Sequence, residues 1–201
     1  DGNVLMFVPQ GKDTFEVPAD VLKVHYKAMS DNTNLTSVSF ANATTTLDSN
    51  VFKGCTSLKT IELPSQLTTI PYSAFYDCTA LTTVSNLENI KSINQFAFNN
   101  CTSLRELTLP AGVGFTNPVF GGCSDELEVT KGGEKIVIDP NGNVTELGVT
   151  NQTTNAMYGS LSDAISAVTD NKPVTLALNK DFNVESGFTI EADRNITIDL
   201  N

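Results

Sequence analysis

Few residues of this 201-residue sequence have the types and spacing to do chemistry. Cys55, Cys78, Cys101 and Cys123 are even in number, which in an exported protein invites disulfides, and thiolates also bind metals. His25 is the one histidine, and a general base built on it needs a Ser or Cys nucleophile placed beside it by the fold. Asp139-Pro140-Asn141-Gly142-Asn143 has the look of a calcium loop, yet its glycine falls at the wrong place and the bidentate glutamate expected further on is missing. Turn chemistry accounts for it better, as the bend of a hairpin. Glu191, Asp193 and Asp199 are carboxylates near the end of the chain, and paired carboxylates catalyse only when a pocket fixes them.

What positions these residues is a repeat. Leu35, Leu58, Leu81, Leu104 and Leu127 stand 23 residues apart, as do Cys55, Cys78 and Cys101, and Phe52, Phe75 and Phe98. With Leu58, Ile61 and Leu63, then Leu104, Leu107 and Leu109, at the head of each unit, the period predicts a leucine-rich-repeat solenoid of about five coils. In the coil that starts at Leu58 the inward groups are Leu58, Ile61, Leu63, Leu67, Ile70, Ala74, Phe75 and Cys78. Each large one contributes roughly 1.5–3 kcal/mol on burial, while ordering the backbone costs about 1–2 kcal/mol per residue. A lone coil therefore does not fold, and stacked coils sharing one core do.

The repeat settles most of the chemistry. Equivalent positions in stacked coils lie about 4.8 Å apart with parallel side chains, whereas a disulfide wants Cβ atoms about 3.8 Å apart and turned toward each other. The cysteines are expected to be buried free thiols, with no disulfide, and as metal ligands they would form a line instead of a tetrahedron. His25 shares a column with Pro71 and is expected on an outer turn. The outward columns of the predicted parallel strand, Thr14, Ser37, Thr60, Thr83, Glu106 and Glu16, Ser39, Glu62, Ser85, Thr108, form the extended face on which solenoids bind. Glu16, Thr60, Glu62, Thr83, Glu106 and Thr108 are the candidate ligand-binding residues, with Tyr72, Tyr76 and Phe96 on the outer side as alternative anchors.

The boundaries follow from where the period starts and fails. Residues 1–14 read as a capping hairpin around Gly11, 15–130 as the solenoid, 131–150 as a capping hairpin and connector, and 151–201 as a small β-rich domain. Asn86 occupies the inward column of Leu63, so it must hydrogen-bond backbone or yield its place to Leu87. Val113-Gly114-Phe115 is one residue shorter than Leu67-Thr68-Thr69-Ile70 and shifts Phe120 and Cys123 to a 22-residue step. In the last segment Ser160 to Asp163 reads as a capping box with Leu161, Ala164, Ile165 and Val168 at helical spacing. Val174 to Leu178, Phe188 to Ile190 and Ile196 to Leu200 then alternate as strands. The fold class is mainly β and poor in α/β content.

The phrases VFKGCTSLKTIELP, AFYDCTALTTV and AFNNCTSLRELTLP resemble the BspA-type leucine-rich repeats of bacterial surface and secreted proteins, over roughly residues 15–129. The resemblance implies a non-enzymatic adhesion or recognition protein at the cell surface or secreted, with a protein partner on a host or neighbouring cell, extracellular matrix included. Residues 156–201 resemble the start of a right-handed parallel β-helix, with Glu191, Asp193 and Asp199 resembling the acidic sites of β-helix polysaccharide lyases. That implies a second reading, glycan binding or processing with the β-helix continuing past residue 201. A third is a spacer that displays another module.

Composition bounds the rest. A formal charge of −11, a sequence pI of about 4.4 and no run of Lys or Arg argue against partners held by phosphate, whether nucleic acid or anionic membrane. No stretch approaches the roughly 20 apolar residues of a membrane-spanning helix, and no signal segment opens the sequence as given, so export implies a leader outside it. No cofactor or metal is expected.

Overall fold

The structure, a computed structural model, describes residues 3–41, 44–145, 149–154, 156–158, 161–169, 172–178 and 194–199. Two units separate, Asp1–Val144 and Thr145–Asn201.

In the first unit each coil begins with a short strand in which a β-branched residue points in and polar residues point out, as in Thr60–Glu62 and Thr83–Ser85. These strands stack in parallel and in register as a front ladder: Thr14–Val17, Ser37–Phe40, Thr60–Glu62 and Thr83–Ser85. Glu106–Leu109 pairs in parallel with Glu128–Lys131, which turns back antiparallel onto Glu134–Lys135. A rear ladder runs through Thr69–Ile70, Ser92–Ile93 and Gly114–Phe115. A separate three-stranded rear ladder joins Asn3–Leu5, Val21–Val24 and Thr46–Leu47 in parallel. Between the ladders, backbone amides reach the next coil along a third wall: Phe52 N to Ala74 O at 2.9 Å, Phe75 N to Ala97 O at 2.8 Å, Phe98 N to Val119 O at 3.0 Å. The solenoid is nearly all β, with about seven turns.

The core is built of columns. Phe52, Phe75, Phe98 and Phe120 stack face to face with centroids 5.3, 5.3 and 5.6 Å apart and planes within 10°. Leu35, Leu58, Leu81 and Leu104 form a second fully buried column. Offset stacking adds about 0.5–1.5 kcal/mol per aromatic pair beyond area burial, so the Phe column also fixes the coil register.

Two further columns hold the backbone in the left-handed region. Lys27, Asn50, Ser73 and Phe96 have φ from 51° to 60°, and Asp31, Gly54, Asp77, Asn100 and Gly122 from 59° to 75°. In the second column Gly54 needs its glycine for space as well as for φ, because a Cβ there would collide with the Asp31 carboxylate.

Three expectations are answered here. The N-terminal hairpin is not formed: Asn3–Leu5 pairs in parallel with Val21–Val24 in the rear ladder, and Val8 N donates to Ala28 O at 2.8 Å. The segment is the return half of another coil, with Val8 buried in the core and Leu5 packed against it, while Val4, Met6 and Phe7 are exposed. Asn86 meets both halves of its requirement. It turns left-handed at φ 61°, donates Nδ2 to Leu63 O at 3.0 Å and to Glu62 Oε1 at 3.1 Å, and cedes the core to Leu87. The fourth coil is one residue short, with Gly114 opposite Ser92 and Glu128 opposite Glu106.

The hairpin of Val137–Ile138 and Val144–Thr145 closes the end of the stack. Val119 N and Phe120 N both donate to Gly142 O, at 2.9 and 3.0 Å. Gly142, at φ 82°, lies so close to Gly121 that no Cβ fits.

The second unit has its own core of Val149, Leu161, Ala164, Ile165, Val168, Val174, Leu176 and Leu178. The helix Leu161–Ser166 forms where helical spacing predicts it. Four strands pair in the order Ala156–Tyr158, Val149–Asn151, Val174–Leu178, Ile196–Asp199. The last two are parallel at a 22-residue step, as in a β-helix coil, whereas the other two pairings are antiparallel, which a β-helix coil does not contain. The expected strand from Phe188 to Ile190 and the capping residue Ser160 lie outside the described residues.

Candidate recognition surface

The cysteines are consumed by the fold. Each thiol donates to the carbonyl of an earlier coil: Cys55 to Met29 O at 3.0 Å, Cys78 to Phe52 O at 3.1 Å, Cys101 to Phe75 O at 3.2 Å and Cys123 to Phe98 O at 3.1 Å. All four are free thiols. Burial pushes the Cys55 thiol up to about 12 and the Cys123 thiol to about 11, and raises Cys78 and Cys101 well above the ordinary thiol value. A thiolate nucleophile does not form under those conditions.

The other chemical candidates are also structural. His25 is half-buried on the turn after Val21–Val24, its amide donating to Leu5 O at 2.9 Å. Asp139 spends both carboxylate oxygens on its own turn: Oδ1 accepts from Asn141 N and Asn143 N at 2.8 Å, and Oδ2 from Asn143 Nδ2 at 2.7 Å. The Asn143 side-chain amide, then the backbone amides, hold its pKa below the usual carboxylate value. Among the described residues no three His, Cys, Asp or Glu side chains gather as a metal site. Asp199 is half-buried on Ile196–Asp199, and Glu191 and Asp193 lie outside the described residues.

The front columns are free. Glu16, Thr60, Glu62, Thr83, Glu106 and Thr108 are all exposed, on the front strands Thr14–Val17, Thr60–Glu62, Thr83–Ser85 and Glu106–Leu109. The outer aromatics fall on a different edge. Tyr72 is exposed and meets Phe96 edge-on at 5.7 Å, and the Lys53 ammonium sits 4.9 Å from the Tyr76 ring. Phe96 holds an unusual backbone for a bulky residue, φ 60°, as Lys27, Asn50 and Ser73 do at the same place in the preceding coils.

The front face also carries a feature that column reading misses. The bonds that start each front strand run Thr36 N to Asp13 O, Lys59 N to Thr36 O, Thr82 N to Lys59 O and Glu128 N to Arg105 O, at 2.7 to 3.1 Å. The step from Arg105 N to Thr82 O is absent, and no ladder bond joins Thr83–Ser85 to Glu106–Leu109. Behind this split the rear ladder and the Phe column stay closed. A cleft of about 480 Å³ fills the split, with Thr82 to Glu88 on one side and Glu106 to Pro110 on the other. Two sequence signals mark it: Asn86 ends the third front strand at Ser85, and the fourth coil is a residue short.

A profile described as the BspA type leucine rich repeat region matches residues 10–127 in six copies, where leucine spacing alone counts about five. The chain belongs to the BspA-type leucine-rich repeat family. Among solved structures, the leucine-rich repeat protein of T. pallidum is 27% identical with a TM-score of 0.54, covering 59% of this chain and 56% of that one. The pneumococcal vaccine antigen PcpA is 23% identical with a TM-score of 0.55, over 67% of this chain and 34% of that one. A leucine-rich repeat protein from Bacteroides ovatus is 22% identical with a TM-score of 0.52, over 59% and 33%. The chain thus spans about half the length of the T. pallidum relative and a third of the other two. No curated protein sequence matches it. Membership in the BspA-type family suggests a protein-binding or recognition role.

Proposed function

We propose that this BspA-type chain is an exported, non-catalytic recognition protein that adheres to a protein on a host or neighbouring cell, matrix proteins included, through the front face of its solenoid. The observation that carries the reading is the contrast between the two kinds of polar residue. Thiols, His25 and Asp139 sit within the fold's own bonding or turns, whereas Glu16, Thr60, Glu62, Thr83, Glu106 and Thr108 stand exposed on the front strands on both sides of the cleft. Extended binding faces are what stacked repeats provide. Residues 15–130 are the recognition module in this reading, 131–150 its connector and 151–201 a separate β-rich domain.

Solid-phase binding to purified extracellular-matrix proteins tests it. The Thr60→Arg/Glu62→Arg variant should lose binding by about tenfold or more, the size of a hot-spot loss, while Tyr72→Ala/Phe96→Ala retains it. The opposite pattern moves the site to the outer aromatic edge and favours a glycan, for which stacked exposed rings are the usual platform. Fractionation that finds the protein only in the cytosol ends the adhesion reading.

A further inference from the structure

We infer that the split in the front ladder is a side-chain socket for a basic, extended segment of the protein partner, with one arginine or lysine of that segment entering between Thr83–Ser85 and Glu106–Leu109. The inference rests on the front-face reading above and names the partner's chemistry.

Three independent observations converge on it. The first is an unmade set of backbone bonds. In a continuous parallel ladder each strand is hydrogen-bonded on both sides, and here both facing edges lack their neighbour, although Thr83–Ser85 is paired to Thr60–Glu62 and Glu106–Leu109 to Glu128–Lys131 on their other sides. Edge carbonyls left without a bond are strong acceptors, and sheet edges are where extended peptides are captured.

The second observation is charge. Glu88 and Glu106 line the cleft from opposite sides, and neither has a hydrogen bond or ion pair among the described residues. Glu62, at the neighbouring step of the face, is fastened to Asn86. No Lys or Arg lines the cleft. Arg105, the cation next in sequence, is committed elsewhere, with Nε 3.1 Å from Glu126 and Nη1 donating to Thr102 O and Leu104 O at 2.8 and 3.2 Å. A guanidinium entering the cleft would meet two carboxylates and no competing cation among the lining residues.

The third is size and floor. A cleft of about 480 Å³ falls at the low end of ligand pockets, so it admits a long side chain and no second strand. Val84, Leu87 and Leu107 form a nearly buried floor suited to the methylene stem of Arg or Lys, which packs on apolar surface while its head stays polar. The socket also explains how a face without aromatic groups can bind: arginine is itself a hot-spot residue, and here the partner supplies it.

A fluorescein-labelled peptide of alternating threonine and arginine, titrated with the whole chain by anisotropy, tests the socket. Binding should be saturable, and Glu88→Gln and Glu106→Gln should each weaken it about tenfold, as expected when one partner of a close charge pair is removed. The control double variant Glu134→Gln/Asp125→Asn, which removes charge outside the cleft and leaves the Arg105–Glu126 pair in place, should weaken it less than about twofold, as rim or distant charges do. Equal loss in both sets overturns the socket, since attraction would then follow net charge alone, and so does unchanged binding by Glu106→Gln. Circular dichroism and thermal midpoints of the variants separate misfolding from lost contact. If the socket variants bind matrix proteins like the wild type while Thr60→Arg/Glu62→Arg does not, the socket fails and the front-face function stands. If no variant or wild type binds any matrix protein, the broader reading fails first.

Discussion

Cys78 shows what selects a residue type in this molecule. Its thiol is completely buried, donates to Phe52 O, and fills a small apolar space between coils. Alanine removes one of the two donors to Phe52 O, leaving the Cys55 amide as the other, and opens a void, so Cys78→Ala should cost about 1–3 kcal/mol, read as a lower urea midpoint. The head of the same column marks the rule by exception. Asn32 stands where coil logic wants a cysteine, is fully buried, and leaves its Oδ1 without a partner, while Nδ2 reaches Pro9 O at a long 3.4 Å. Neither thiol chemistry nor metal chemistry is needed to account for four cysteines in a line.

At the scale of elements, the closing turn is held by one carboxylate. Asp139 gathers Asn141 and Asn143 so that Gly142 can seat against Gly121 and accept from Val119 and Phe120. Because its folded pKa lies below the ordinary value of 3.8, its contribution to stability is present above that pH and is lost as pH falls below it. Wild type should therefore lose stability as pH falls from the ordinary carboxylate value of 3.8 toward the lower folded one, more steeply than Asp139→Asn, measured as urea midpoints by circular dichroism. The elements were legible to different degrees in the sequence. Front strands and the Phe and Cys columns follow from a 23-residue spacing, because identical environments recur and select identical residues, and the closing turn follows from its Asp-Pro-Asn-Gly chemistry. Asn3–Leu5 was not legible, since a three-residue apolar strand suits a hairpin or a half-coil equally and only the neighbouring coil decides. The cleft was half legible: Asn86 and the missing residue near Gly114 were visible, but each permits several local adjustments, and the absence of a hydrogen bond leaves no sequence pattern of its own.

At the scale of the whole molecule, most of the first unit is a set of neighbour contacts. Backbone, thiol and hydroxyl bonds repeat at separations of 23 or 26 residues, as in Thr82 to Lys59 and Cys101 to Phe75. Stability in such an array is a sum of coil and interface terms, with the ends decisive. The second unit has a core of its own.

The constant 23-residue step makes a coil a unit of inheritance as well as of structure. Residues 58–80 meet the coils on either side through the same bonds that those coils make to their own neighbours. A second copy of 58–80 inserted after residue 80 should therefore fold in register, raise the thermal midpoint, and lengthen the front face by about 4.8 Å. Light scattering and calorimetry would read both. The same insertion across the short fourth coil has no matching frame and should lower the midpoint. Lineages carrying this chain can then vary how far the face reaches by copying coils, while the cleft and the closing turn travel unchanged at one end.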